Sequence, residues 1–114
     1  MFDFQKLSVY HKAKAFSIEI SKLLRSKKFD RTTNDQLRRA SFSIMLNIAE
    51  SASRFSNKDR RNFLVIARGS AFECVAILEF LTENKEIEAN LSQEYYSQLE
   101  EMSKMLFGLI RKLS

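Results

Sequence analysis

A chain of 114 residues makes one domain, long enough to bury roughly two-thirds of the surface its unfolded form exposes, so neither a metal nor a disulfide is needed to hold it together. One cysteine, Cys74, excludes an internal disulfide, and one histidine, His11, excludes a Cys/His zinc site within a single subunit. The net charge of +5 is unevenly placed: residues 1–68 carry 15 Lys/Arg and 6 Asp/Glu, residues 69–114 carry 4 and 8, and a phosphate-rich partner would therefore meet the first part of the chain.

The start, "MFDFQKLSVY", has no basic region followed by an apolar run, and no stretch approaches bilayer length. Cytoplasmic residence is the expectation, with no export and no membrane partner. The chain lacks proline and has two glycines, Gly69 and Gly108, so the strongest punctuators of secondary structure are nearly missing. This composition predicts an all-α fold of long helices.

Val9, Ala13, Phe16, Ile20, Leu23 and Leu24 step by three or four residues with Lys14, Lys22 and Arg25 opposite, predicting a first helix over about residues 7–28. "FDRTTNDQ" then interrupts the pattern. Thr33 followed by Gln36 has the form of a capping box, placing the second helix from about 34 to 54. Ser56, with Asp59 in the first turn, predicts the start of a third helix over about 57–85, with Phe63, Ile66, Ala67, Ser70, Cys74, Ile77, Leu78 and Leu81 as its inner face. Ser92 is the expected cap of the fourth helix, with Leu91 and Tyr96 as a hydrophobic staple. Tyr95, Leu99, Met102, Leu106, Leu109 and Leu113 form its apolar seam. Four amphipathic helices on short connections predict one domain, residues 1–114, folded as an antiparallel up-down-up-down four-helix bundle.

The second helix carries an unusual stripe. Gln36, Arg39, Ser43, Asn47, Glu50 and Arg54 recur at intervals of three or four and fall on one face, while Leu37, Phe42, Ile44, Met45, Leu46, Ile48 and Ala49 make the remaining circumference apolar. One reading is a solvated face with an i,i+4 pair between Glu50 and Arg54, worth a few tenths of a kcal/mol. The other is a half-buried polar network reaching Ser70 and Glu73 on the antiparallel third helix, where an unpaired buried group would cost roughly 1–3 kcal/mol. On the third helix a second apolar line, Val65, Phe72, Ala76 and Phe80, lies away from the inner face and is a candidate oligomer interface.

The residues from 36 to 73 also form a motif. Gln36, Arg39-Ala40, Ser43-Ile44, Asn47-Ile48-Ala49-Glu50, Arg54, Phe63, Ala67, Gly69-Ser70 and Glu73 resemble the pattern of the four-helix-bundle family of proteins encoded in intervening sequences of bacterial 23S rRNA genes. The stretch "FQKLSVYHKA" extends the resemblance towards the N-terminus, and Ser51 stands where the family usually has glycine. The resemblance implies a small cytoplasmic bacterial protein, assembled as a ring-shaped homopentamer, without established enzymatic activity and without a cofactor. It also implies nucleic-acid binding as the role proposed for relatives, one distant relative serving a retroelement reverse transcriptase as an accessory subunit with a basic surface.

Catalysis would need a nucleophile–base pair or a phosphate-cradling glycine loop, and the sequence offers neither. A di-iron bundle would need paired Glu-x-x-His repeats, which one histidine cannot supply. No metal site is expected. The candidate phosphate contacts are Lys14, Lys22, Arg25, Arg38, Lys58, Arg60, Arg61 and Arg68, binding backbone and shape rather than reading bases, and no RNA-recognition signature with stacking aromatics is evident. RNA or an RNA–protein particle is thus the expected partner. The rival is a structural or protein-partner adaptor whose charges serve solubility.

Overall fold

The structure, a computed structural model, describes residues 1–114 and contains four helices: α1 Ser8–Ser26, α2 Arg31–Ala52, α3 Asn57–Glu83 and α4 Ala89–Lys112, preceded by a short 3-10 turn, Asp3–Lys6. They pack in the cyclic order α1–α2–α3–α4, α1 touching α2 and α4, and α3 touching α2 and α4. The result is the antiparallel up-down-up-down bundle the periodicity predicts, 44 Å long and 23 by 21 Å across.

The core follows from the apolar stripes. Val9, Ala13, Phe16, Ile20 and Leu23 of α1 meet Leu37, Ile44 and Ile48 of α2, Leu64, Ala67, Ala71, Cys74, Leu78 and Leu81 of α3, and Tyr95, Leu99, Met102 and Leu106 of α4. Phe16 lies at the centre, fully buried, with the Tyr95 ring edge-on to it at 6.0 Å between centroids.

Three helix details differ from the sequence expectation. Helix α2 begins at Arg31, because the Asp30 carboxylate caps it by accepting the Thr32 N–H at 3.1 Å, so Thr33 and Gln36 lie inside the helix and form no capping box. Helix α4 begins at Ala89 behind Glu88, and Ser92 is an internal residue whose hydroxyl accepts from Thr82 Oγ1 of α3 at 2.7 Å. Tyr96 is correspondingly half-exposed rather than stapled to Leu91. The inner face of α3 is rotated: Leu64 and Ala71 are buried, whereas Ile66 is half-exposed and Phe63 and Ile77 are half-buried.

The Ser56 cap of α3 is as expected, its hydroxyl accepting the Asp59 N–H at 3.1 Å. Ser51, in the family's glycine position, is buried and gives its hydroxyl to the Ile48 carbonyl at 2.7 Å. Its side chain is thereby satisfied within the helix. The turn from α3 to α4 places Lys85 at φ 63°, a left-handed conformation that ends α3, and drops Ile87 into the core.

Candidate functional site

Three surface features arise from this packing. The first is the α2 stripe, which lies along the seam with α3. Its middle crosses between the helices: the hydroxyls of Ser43 and buried Ser70 are 2.8 Å apart, and Asn47 Nδ2 donates to both the carbonyl and the hydroxyl of Ser43 at 2.9 Å. Its ends do not cross. Asn47 finds its partner on its own helix, Glu50 is ion-paired with Arg54, also of α2, and Gln36, Arg39 and Glu73 are exposed without a side-chain hydrogen bond inside the chain. The expected bonds from Asn47 and Glu50 to α3 are thus replaced by local ones, because both side chains are short enough to reach a residue four positions away before they reach the next helix.

The arrangement separates two substitutions. Asn47→Leu should cost about 1 kcal/mol, since it strips a half-buried hydrogen-bond donor from the Ser43 hydroxyl, whereas Glu50→Leu should stay within about 0.5 kcal/mol because the Glu50–Arg54 pair is half-exposed and lies within one helix. Urea unfolding of both variants measures the difference; equal costs would rule out a seam that is structural in the middle and solvated at its end.

The second feature is apolar surface on two opposite sides. Between α1 and α2 a groove of about 530 Å³ is lined by Tyr10, Ile18, Leu24, Phe42 and Met45, with Lys14 and Arg38 at its rim. Across the bundle, between α3 and α4, a groove of about 460 Å³ is lined by Phe72, Val75, Ala76, Tyr96 and Leu99, with Arg68, Glu79, Glu100 and Lys104 as its charged residues. Phe42, Leu46, Val65, Phe72 and Phe80 are each at least half-exposed. The line Val65, Phe72, Ala76 and Phe80 is therefore on the surface as expected, and the apolar circumference of α2 surfaces at Phe42 and Leu46, where α1 adds Ile18 to it.

The third feature is charge. Lys14, Lys22, Arg25 and Lys58 are exposed and in no ion pair. Lys14 Nζ stands 5.4 Å from the centroid of the Tyr10 ring, and Arg25 donates to Ser21 Oγ at 2.9 Å. Arg38 pairs with Asp35 at 3.5 Å. Three other predicted phosphate contacts are half-buried and hold backbone: Arg60 Nε donates to the Arg54 carbonyl at 2.7 Å, Arg61 to the Leu113 carbonyl at 3.5 Å, and Arg68 to the Ser103 carbonyl at 3.3 Å. Arg68 also lies over the Phe72 ring at 4.8 Å and the Phe107 ring at 5.4 Å. These arginines couple helices as well as carrying charge.

The bundle topology gathers charge at one end. The end formed by residues 1–8, 50–63 and 107–114 holds seven Lys/Arg and three Asp/Glu, whereas the opposite end, residues 21–35 and 79–92, holds six of each. The basic end also carries Phe55, in the turn between α2 and α3, which is 100% exposed. A phenylalanine in the middle of "SRFSNK" is the one sequence signal of a surface aromatic here, since no apolar neighbour lies within the turn.

Cys74 is sealed in the core, where burial, and secondarily the neighbouring Glu73 charge, pushes its pKa up to about 12. It is held as an unreactive thiol. Burial, then Glu19 and Glu94, also raises the Tyr95 pKa. No group of three His, Cys, Asp or Glu is placed to hold a metal ion, and no helix is long and apolar enough to cross a membrane.

Comparison with known proteins places this arrangement. The sequence pattern of the 23S rRNA-intervening sequence protein family matches residues 5–108. No curated protein matches the chain. Among solved structures, a protein with unknown function from the S23 ribosomal protein family of Bacteroides thetaiotaomicron VPI-5482 is similar, with a TM-score of 0.86 and 27% sequence identity over 90% of this chain and 97% of that one.

Proposed function

Since the chain belongs to the 23S rRNA-intervening sequence protein family, we propose that it is a non-enzymatic, cytoplasmic homo-oligomer that binds RNA or an RNA–protein particle through basic residues left free on its surface. The observation that carries the reading is the presence of exposed cations in no ion pair, Lys22, Arg25 and Lys58 among them, on a chain whose positive charge is concentrated in residues 1–68. Phosphates are the partner such charges suit, through release of counterions rather than base-specific contacts.

Two apolar grooves support the homo-oligomer. Apolar grooves on opposite sides of one bundle suit a ring in which each copy meets two neighbours, the α1–α2 face of one copy seated on the α3–α4 face of the next. Five copies is the number the family resemblance implies, and a ring would repeat Lys22, Arg25 and Lys58 around its rims.

Binding should strengthen as salt falls, with a slope of roughly 0.7–0.9 log units per phosphate contact. Replacing Lys22, Arg25 and Lys58 together by glutamate should lower both affinity and slope without unfolding the chain, because none of the three holds another element in place. Filter binding across a salt series, with RNA and with polyglutamate as an equally acidic polymer of unrelated shape, measures this. Equal binding of both polymers, or none at low salt, would leave the adaptor as the function.

A further inference from the structure

The turn between α2 and α3 is fixed on both sides of Phe55. Ser53 Oγ donates to the Glu50 carbonyl at 2.7 Å, the Arg60 side chain holds the Arg54 carbonyl, and Ser56 caps α3. The Arg54 guanidinium is itself stacked on the Phe63 ring, 4.5 Å from its centroid. A turn tied down this closely does not let Phe55 fold back onto the bundle, so the ring is presented to solvent on a rigid support. A second aromatic stands at the same end: Phe2, largely exposed, stacks by one face on Phe4 at 6.0 Å between centroids.

Cations share this end of the bundle with the two rings. Arg60 and Lys112 line one cleft at this end of the bundle, Arg61 is held against the last residues of α4, and Lys58 is free in the first turn of α3. Exposed apolar rings at a bundle end that is rich in positive charge complement a ligand that alternates flat aromatic faces with negative charges, which is the chemistry of a single nucleic-acid strand. A duplex hides its base faces in the stack and offers phosphates alone. A lipid surface needs only diffuse charge, whereas here two arginines are held in position by backbone carbonyls.

We propose that this end of the bundle docks unpaired RNA, a base stacking on Phe55 while the adjoining phosphates lie against Lys58, Arg61 and Lys112. The proposal rests on the RNA-binding reading above and adds to it the strandedness of the RNA and the residue that senses it.

The test compares an unstructured oligouridylate with a blunt-ended RNA duplex of equal phosphate number, using the intact protein and two variants. Phe55→Ala should weaken binding of the oligouridylate roughly 5- to 150-fold, the range expected for loss of one base–aromatic stack, and leave the duplex within about twofold. Phe55→Trp introduces the sole tryptophan of the chain, and its fluorescence should be quenched by the oligouridylate and not by the duplex. Binding of both RNAs with no effect of Phe55→Ala overturns this inference while leaving RNA binding intact. Failure of the unaltered protein to bind either RNA overturns both. A tryptophan response to vesicles of anionic phosphatidylglycerol, with none to the oligouridylate, would make the end a membrane contact and overturn the inference as well.

Discussion

Phe16→Ala is expected to remove about 3–5 kcal/mol of folding stability, a large share of the roughly 5–15 kcal/mol that holds a domain of this size. Phe16 is fully buried where α1 faces α4, and the Tyr95 ring rests against its edge. Truncation therefore loses the transfer energy of the ring and leaves a void that rigid helices on either side cannot close. The melting midpoint should fall by roughly 10–20 °C at fixed protein concentration. Calorimetry with urea titration reads both quantities, and a loss below about 1 kcal/mol would mean that the centre of the bundle is not where the packing puts it.

The second large effect concerns assembly. If the α1–α2 face of each copy seats on the α3–α4 face of the next, Phe42→Glu and Phe72→Glu should each dissociate the ring to a species near 13.3 kDa, since either one places an unpaired carboxylate in every contact. Each variant still keeps one unaltered face. Mixed in equal amounts, the two should therefore pair once and stop, giving a dimer of about twice that mass and nothing larger. Light scattering after gel filtration distinguishes the outcomes. A face that paired with its own copy would instead leave the Phe42→Glu protein dimeric by itself, and an unaltered chain already near 13.3 kDa would remove the assembly altogether.

How far the sequence carried the structure depends on how unequal the faces of each helix are. In α1 and α4 polar residues oppose the apolar stripe, so Val9, Ala13, Phe16, Ile20 and Leu23, and likewise Tyr95, Leu99, Met102 and Leu106, could be assigned to the core from spacing alone. In α3 the run Phe63, Leu64, Val65, Ile66, Ala67 is apolar on every side. Several stripes then satisfy the same period, and the spacing points Ile66 inward where the structure buries Leu64, because only the neighbouring helices select among them. The helix starts were blurred by competing caps: both Asp30 and Thr33 suit the position, and the chain uses Asp30.

The surface was legible to a different degree. That Ser43 would find Ser70 follows from two antiparallel helices with small hydroxyls at matching heights. That Arg60, Arg61 and Arg68 would spend their guanidinium groups on the carbonyls of Arg54, Leu113 and Ser103 does not follow from charge patterning, because it depends on which carbonyl a long side chain happens to reach. Phe55 escaped periodicity altogether, being in a turn.

The order in which the chain acquires its structure follows from the connections between helices. Those between α1 and α2 and between α2 and α3 span Lys27–Asp30 and Ser53–Ser56, and each helix packs on the one next to it in sequence, with the α1–α4 contact and that of the N-terminal turn on α2 closing over distance. Mostly local contacts of this kind place a bundle among domains that fold in microseconds to milliseconds. Two copies at micromolar concentration, docking at about 10⁶ M⁻¹s⁻¹, meet on the order of once per second. Each copy is therefore complete before it meets a neighbour, and any assembly proceeds by docking of finished surfaces rather than by intertwining of open chains.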